Sequence, residues 1–180
     1  MTNRQKLLEL LREKSVKTGA FTLASGKKSD FYVDVRQTSL HAEGSWLIAN
    51  ELMKAIPEHI EGIGGLTMGA DPLACATAAV AHSKGRALHA FLIRKEAKGH
   101  GTGHYVEGLA NFSAGSAVTV VEDTTTTGGS LLTAIERAEA AGLRVVQCIT
   151  IVDREEGAAE RIQAAGYTLE ALTTRTELLS

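Results

Sequence analysis

Two cysteines in 180 residues, Cys75 and Cys148, each alone in apolar surroundings, give no disulfide framework, so a reducing, cytoplasmic compartment is the simple expectation. Two prolines, and no repeat, linker or low-complexity tract, point to one domain covering residues 1–180. That length is enough to bury a core without metal or disulfide staples. The formal net charge is only −2, so the chain lacks the basic character that nucleic-acid binding normally shows. No stretch approaches the ~20 consecutive apolar residues of a membrane span. Met1-Thr2-Asn3-Arg4-Gln5-Lys6 leads into an amphipathic pattern with no signal-peptide core. The GxxxxGK[ST] loop of nucleoside-triphosphate hydrolases is absent, and Gly62-Ile63-Gly64-Gly65-Leu66-Thr67 lacks the last glycine of a dinucleotide fingerprint.

Aromatic residues are also scarce, at 4%, whereas glycine is in excess, with eighteen residues. Twelve of those glycines lie between Gly62 and Gly129, in a region that is otherwise rich in Val, Ile, Leu and Ala and therefore folded. Clustered glycine in a folded region marks loops where backbone approaches something closely. Leu7, Leu8, Leu10 and Leu11 behind Asn3, a candidate N-cap, predict an amphipathic first helix. Phe21 to Arg36 alternates around Ser25-Gly26-Lys27-Lys28 and predicts a strand pair with a turn. Glu43 to Ile56 is helical in period and stops at Pro57; Ile60 to Gly65 is a short apolar run. Asp71 and Pro72, as N-cap and first residue, open a helix through about Ser83. Strands are predicted at Ala87–Ile93, Ala117–Val121 and Val145–Val152, with a helix at Ser130–Ala141. The alternation implies an α/β fold, a parallel sheet with helices on both faces and a small N-terminal addition over about residues 1–40.

Ligands of parallel sheets gather outside the carboxyl ends of the strands. Four segments follow predicted strands on that edge: 64–71, 94–104, 122–130 and 153–154. The third is the most informative, because Glu122 and Asp123 are followed by Thr124, Thr125, Thr126, Thr127, Gly128, Gly129 and Ser130, and then by a helix. Helix N-terminal N–H groups and hydroxyls form a cradle for phosphate. Carboxylates beside a phosphate make sense when the phosphate carries a sugar whose hydroxyls donate to them, at ~1.5–3 kcal/mol per bond. Arg94, Lys95, Lys98, His100 and His104 lie on a glycine-hinged segment, as a mobile lid over a polyanion would. His41, His59, His82 and His89 have no metal-like spacing and read as structural. Trp46, Leu47, Leu52 and Met53 read as a packing helix face, and Cys75 as packing.

Together, Val120 to Ser130, Thr22 to Tyr32, Arg94 to Gly101 and Val152 to Gly157 resemble the type I phosphoribosyltransferases, and more narrowly the orotate-specific branch, from about residue 5 to residue 175. The resemblance implies the type I fold with an N-terminal hood. It also implies transfer of 5-phosphoribose from phosphoribosyl pyrophosphate (PRPP) to orotate with Mg²⁺ in pyrimidine biosynthesis. By that pattern Thr126 to Ser130 hold the 5′-phosphate, Glu122 and Asp123 the ribose hydroxyls, and Arg94, Lys95, Lys98 and His100 face the pyrophosphate. Thr126 and Arg154 match orotate-contacting positions, and Phe31-Tyr32-Val33 the segment that covers the base. A homodimer is implied, with the lid of one subunit in its partner's site. Two departures stand out: Ala24 occupies a position that is lysine in some members, and Leu66-Thr67-Met68-Gly69 lacks the lysine some relatives carry there. Both leave fewer cations for the diphosphate. The alternatives are transfer to another base, or a PRPP-sensing regulator of the same fold; the latter would need a basic surface or an added DNA-binding segment, and neither is visible.

Overall fold

The computed structural model describes residues 1–22, 28–97 and 104–180. Helix α1 (Asn3–Lys14) is capped by Thr2 instead of Asn3: Gln5 N–H donates to Thr2 Oγ1 at 3.2 Å, and Thr2 N–H to the Gln5 side chain at 2.8 Å. This reciprocal pair satisfies two donors that the first turn cannot use internally. Leu7 and Leu11, one turn apart, are its buried face. Strands β1 (Val16–Thr22) and β2 (Lys28–Val33) form an antiparallel ribbon with Val16 opposite Val33. The ribbon starts five residues ahead of the expected Phe21, because an irregularity between Thr18 and Phe21 breaks the alternation. Most of the expected turn, with Ala24 just before it, lies outside the described residues. The second expected strand stops at Val33, since residues 36–39 wind into the single turn α2 (Arg36–Ser39).

Helix α3 (Ala42–Ala55) is capped by the His41 imidazole, whose Nδ1 accepts from Gly44 N–H at 3.4 Å. The chain continues through β3 (Gly62–Leu66), α4 (Ala70–Ser83), β4 (His89–Ile93), β5 (Val106–Glu107), β6 (Ala117–Thr125) and α5 (Gly129–Ala140). It closes with β7 (Arg144–Asp153), α6 (Ala158–Ala164), β8 (Leu169–Thr174) and α7 (Arg175–Leu179). The larger sheet has the order β5-β4-β3-β6-β7-β8 and is parallel except for β5, which runs antiparallel to β4. Asp71 is not the cap of α4: the helix begins at Ala70, and Pro72 sits in its first turn, where a missing N–H costs nothing. Strand β6 runs four residues past the expected end at Val121, carrying Glu122, Asp123 and two threonines into the sheet.

Both faces of the sheet are covered. Ile63, Val121, Ile149 and Ile151 pack with Leu7, Leu11, Phe31, Leu47 and Leu73 on one side. Val118, Val120 and Cys148 pack with Leu131, Ile135 and Ile162 on the other. Two central glycines set the spacing around β3. A β-carbon at Gly64 would overlap the Phe91 carbonyl, and one at Gly65 the Val121 carbonyl. The Phe91 ring and the Ala70 side chain pack into the space that side chains at these two positions would fill. Trp46 is half exposed on α3, while Leu47 and Leu52 are buried.

Candidate active site

Strand β3 leaves through α4 to β4 on one flank, and β6 leaves through α5 to β7 on the other. The strand order thus reverses between β3 and β6, the place where open α/β sheets leave a crevice. The carboxyl ends of β3, β4, β6 and β7 lie on one edge, bringing the segments after them together as the strand pattern predicts. Residues 98–103, with Lys98 and His100, lie outside the described residues.

Side chains alternate along β6, and the alternation divides its end. Glu122 and Thr124 share one face, over the N-terminus of α5. Asp123 points to the other, where its carboxylate lies 2.5 Å from the place a β-carbon would occupy on Gly69. Asp123 Oδ1 accepts from Thr124 N–H at 2.8 Å. The loop after β3 is pinned at Thr67, whose N–H donates to the Ile93 carbonyl at 2.8 Å and whose hydroxyl donates to Asp71 Oδ2 at 2.6 Å.

Two adjoining cavities result. One of about 210 Å³ is lined by Glu122, Thr124, Thr126, Thr127 and Gly128 to Ser130. Gly128 caps α5 at φ +75° with no side-chain cap hydrogen bond among the described residues, so donors and hydroxyls converge there. The other, of about 290 Å³, shares Glu122, Thr124 and Ser130 as a common wall and extends past Asp123 to Thr67–Gly69, Val33, Asp34, Arg36 and Lys95. Burial, and next the charge of Asp123, push the Glu122 carboxyl up to about 7, against a hydrogen bond from Ser130. Burial also raises Asp123, with the Thr124 N–H and the Arg36 cation pulling the other way.

Several expected site residues line neither of these two cavities. Thr125 is buried, with its hydroxyl 3.5 Å from Asp153 Oδ1, on the interior side of the alternation. Arg94 pairs with Glu107 at 2.7 Å. Arg154 is buried and pairs with Glu156 at 2.9 Å, because a guanidinium taken out of water needs a counter-charge. It also donates to the Phe31 carbonyl at 3.5 Å and lies 5.7 Å from that ring's centroid. It lines a separate depression of about 500 Å³ with Glu155, Arg175 and Thr176. Tyr32 stacks at a tilt on Phe21, 5.8 Å between centroids, and lines neither cavity. Cys75, read as packing, is exposed. Sequence reasoning missed Asp34 and Arg36, since the alternation up to Arg36 reads as strand; it placed Thr67 and Asp71 on this edge but not their hydrogen bond.

The "Phosphoribosyl transferase domain" family model matches residues 37–169. An orotate phosphoribosyltransferase of Bradyrhizobium sp. (strain BTAi1) is 46% identical over 180 residues, covering 98% of this chain and 97% of that one. A phosphoribosyltransferase from Corynebacterium diphtheriae superposes with a TM-score of 0.82 at 41% identity, covering 100% of both chains. The Mycobacterium tuberculosis H37Rv orotate phosphoribosyltransferase, solved in complex with 5-phospho-alpha-D-ribosyl 1-diphosphate, superposes with a TM-score of 0.79 at 38% identity, covering 99% of this chain and 100% of that one. With a family model matching most of the chain and near-complete coverage in sequence and in structure, the chain belongs to the orotate phosphoribosyltransferase family.

Proposed function

We propose that this chain transfers the 5-phosphoribosyl group of PRPP to orotate, giving orotidine 5′-monophosphate and pyrophosphate in pyrimidine biosynthesis. The observation that carries the reading is the common wall of the two cavities: the carboxylate of Glu122 stands between a cradle of hydroxyls and N–H groups and a second chamber. A phosphorylated sugar needs that sequence of chemistries. Thr126, Thr127, Gly128, Gly129 and Ser130 hold the 5′-phosphate, and Glu122 and Asp123 accept from the ribose hydroxyls. The anomeric carbon then points into the larger chamber, toward Thr67–Gly69 and Lys95.

The sugar passes through a state with oxocarbenium character while charge grows on the departing pyrophosphate. Cations that face the leaving group therefore act more strongly in the transition state than in the ground state. Lys95, with Lys98, His100 and Arg94 of the same segment, has that role in this reading. Arg94 must exchange Glu107 for the ligand to take part. Among the described residues no group of three or more His, Cys, Asp or Glu side chains is arranged to hold a metal. A pair of carboxylates beside a diphosphate site fits Mg²⁺, which keeps several waters and takes one or two carboxylates plus substrate phosphates. Mg²⁺ would neutralise diphosphate charge there, and Glu122 and Asp123, which both line the larger cavity, are the carboxylates that would hold it. A homodimer in which residues 94–104 cover the partner's site belongs to the same reading, as does one domain with a cytoplasmic site of action. In the described residues no helix is long and apolar enough to cross a membrane.

The test is pyrophosphate release from PRPP and Mg²⁺ with a panel of bases. Orotate should support turnover and adenine or uracil should not; the reverse pattern removes the assignment. Within it, Thr126, Arg154 and the Tyr32–Val33 segment are assigned to orotate, whose carboxylate matches a guanidinium fork. Arg154→Lys keeps the charge and loses the fork. It should raise KM for orotate about 10- to 100-fold and leave PRPP binding within about twofold. Equal loss of both ligands would make Arg154 a structural partner of Glu156.

A further inference from the structure

We infer that Arg36 binds the diphosphate end of PRPP, supplying from the N-terminal segment the cation that the loop after β3 does not carry; the inference rests on the phosphoribosyl-transfer reading above. Placement is the first argument. With the 5′-phosphate in the smaller cavity and the ribose at the common wall, the diphosphate falls in the larger cavity, where Arg36 and Lys95 are the cations among the described lining residues. The same lining includes Asp34, Glu122 and Asp123, a field that repels a polyanion unless cations offset it.

The loop itself gives a second argument. Leu66-Thr67-Met68-Gly69 contains no cation, and at Gly69 the backbone runs so near Asp123 that a β-carbon would lie 2.5 Å from its Oδ1. A lysine there would displace the carboxylate assigned to the ribose. A guanidinium arriving from α2 meets no such conflict.

Third, Arg36 is held ready. Its Nε donates to Asp34 Oδ1 at 2.8 Å and its Nη2 to Oδ2 at 3.3 Å, which leaves Nη1 for a ligand. The Arg36 side chain is 45% exposed and that of Asp34 15%, so the clamp is the more buried partner and the Nη1 edge of the guanidinium stays open to a ligand. The pair holds the Asp34 carboxyl below its usual range, and Asp34 stays ionised in neutral solution. A planar, pre-oriented fork suits the geometry of phosphate oxygens and loses little side-chain freedom on binding.

The test compares two fragments of PRPP on the intact protein. Mg²⁺-pyrophosphate and ribose 5-phosphate are titrated calorimetrically into the wild type, Arg36→Ala, Arg36→Lys and Asp34→Asn, with circular dichroism checking the fold. Arg36→Ala should weaken pyrophosphate about 10- to 100-fold and leave ribose 5-phosphate within about twofold. Arg36→Lys and Asp34→Asn should fall between, because one loses the fork and the other its orientation. Unchanged pyrophosphate binding in Arg36→Ala overturns the inference, as does equal weakening of both fragments. A loss that disappears as pH rises, with a displaced pH profile, also overturns it, because Arg36 would then act through Asp123. If the wild type makes orotidine monophosphate while Arg36→Ala keeps its KM for PRPP, only the Arg36 assignment fails. If the wild type shows no PRPP-dependent turnover, the functional reading itself fails.

Discussion

Replacing Lys98 by Ala should lower kcat about 10²- to 10³-fold, the usual effect of removing one group aimed at charge that develops in the transition state. The binding of PRPP and orotate should change much less, because a group that acts on the growing charge of the leaving pyrophosphate contributes little to the ground state. The sharper result comes from mixing. Asp123→Asn damages the ribose-binding wall but leaves residues 94–104 intact, whereas Lys98→Ala does the opposite. If the segment acts across a dimer, exchanging subunits between two nearly inactive proteins assembles one site with both groups intact. Activity should rise to about a quarter of wild type at equal mixing, the share of such sites in a random two-fold dimer. Steady-state assays before and after exchange check this. No recovery, with exchange confirmed by mass-tagged subunits, would place Lys98 over its own chain's site.

The parts of the fold visible in the sequence are those where burial on both faces imposes an unbroken apolar pattern. Ala117–Val121 and Val145–Val152 read as strands because they lie in the middle of the sheet, between two layers of helices. The pattern fails where pairing with a neighbour, not burial, defines the element. Strand β6 continues to Thr125 because Glu122 pairs in register with Thr150 and Thr125 with Asp153, contacts a one-dimensional pattern cannot show. Strand β8, at the sheet edge, has a half-polar sequence that carries no strand pattern for the same reason.

The candidate site divides in the same way. Glycines and hydroxyls before a helix carry local chemistry, so Thr126 to Ser130 could be read directly and do line a cavity. Arg36 could not: it shares a cavity lining with Asp123 because the chain winds into α2 after β2 instead of continuing as strand. Thr125 is one hydroxyl among four in the sequence, but strand alternation turns it inward to Asp153. Arg154 matches an orotate-contacting position by motif, but its burial and the Glu156 counter-charge that goes with it come from packing that the motif does not encode.

Glu122→Gln should make the ligand-free protein more stable than the wild type above neutrality while weakening PRPP. In the wild type, burial and the neighbouring Asp123 charge push the Glu122 carboxyl up to about 7, against an ordinary value of 4.5. Between those values the folded chain retains a proton that the unfolded chain has released, so stability falls as pH rises through that window and levels off above it. The full span amounts to about 3 kcal/mol at most. For a chain of this size that corresponds to a Tm difference of about 5–10 °C. The readout is the difference between the two proteins, since carboxyls that titrate in the opposite sense, such as Asp34, are common to both. Scanning calorimetry should give matching Tm values near pH 4.5 and a higher Tm for the variant at pH 8; a difference independent of pH would remove the buried-charge account. Ribose hydroxyls donate best to an ionised carboxylate, so ligand binding must also expel the proton. Wild-type protein should therefore release close to one proton per PRPP bound near pH 6 and Glu122→Gln much less, as measured by titration in buffers of different ionisation enthalpy. Equal release from both proteins would mean that Glu122 does not meet the sugar. The carboxyl pair that destabilises the empty fold is, on this account, the feature that lets it hold a phosphorylated sugar.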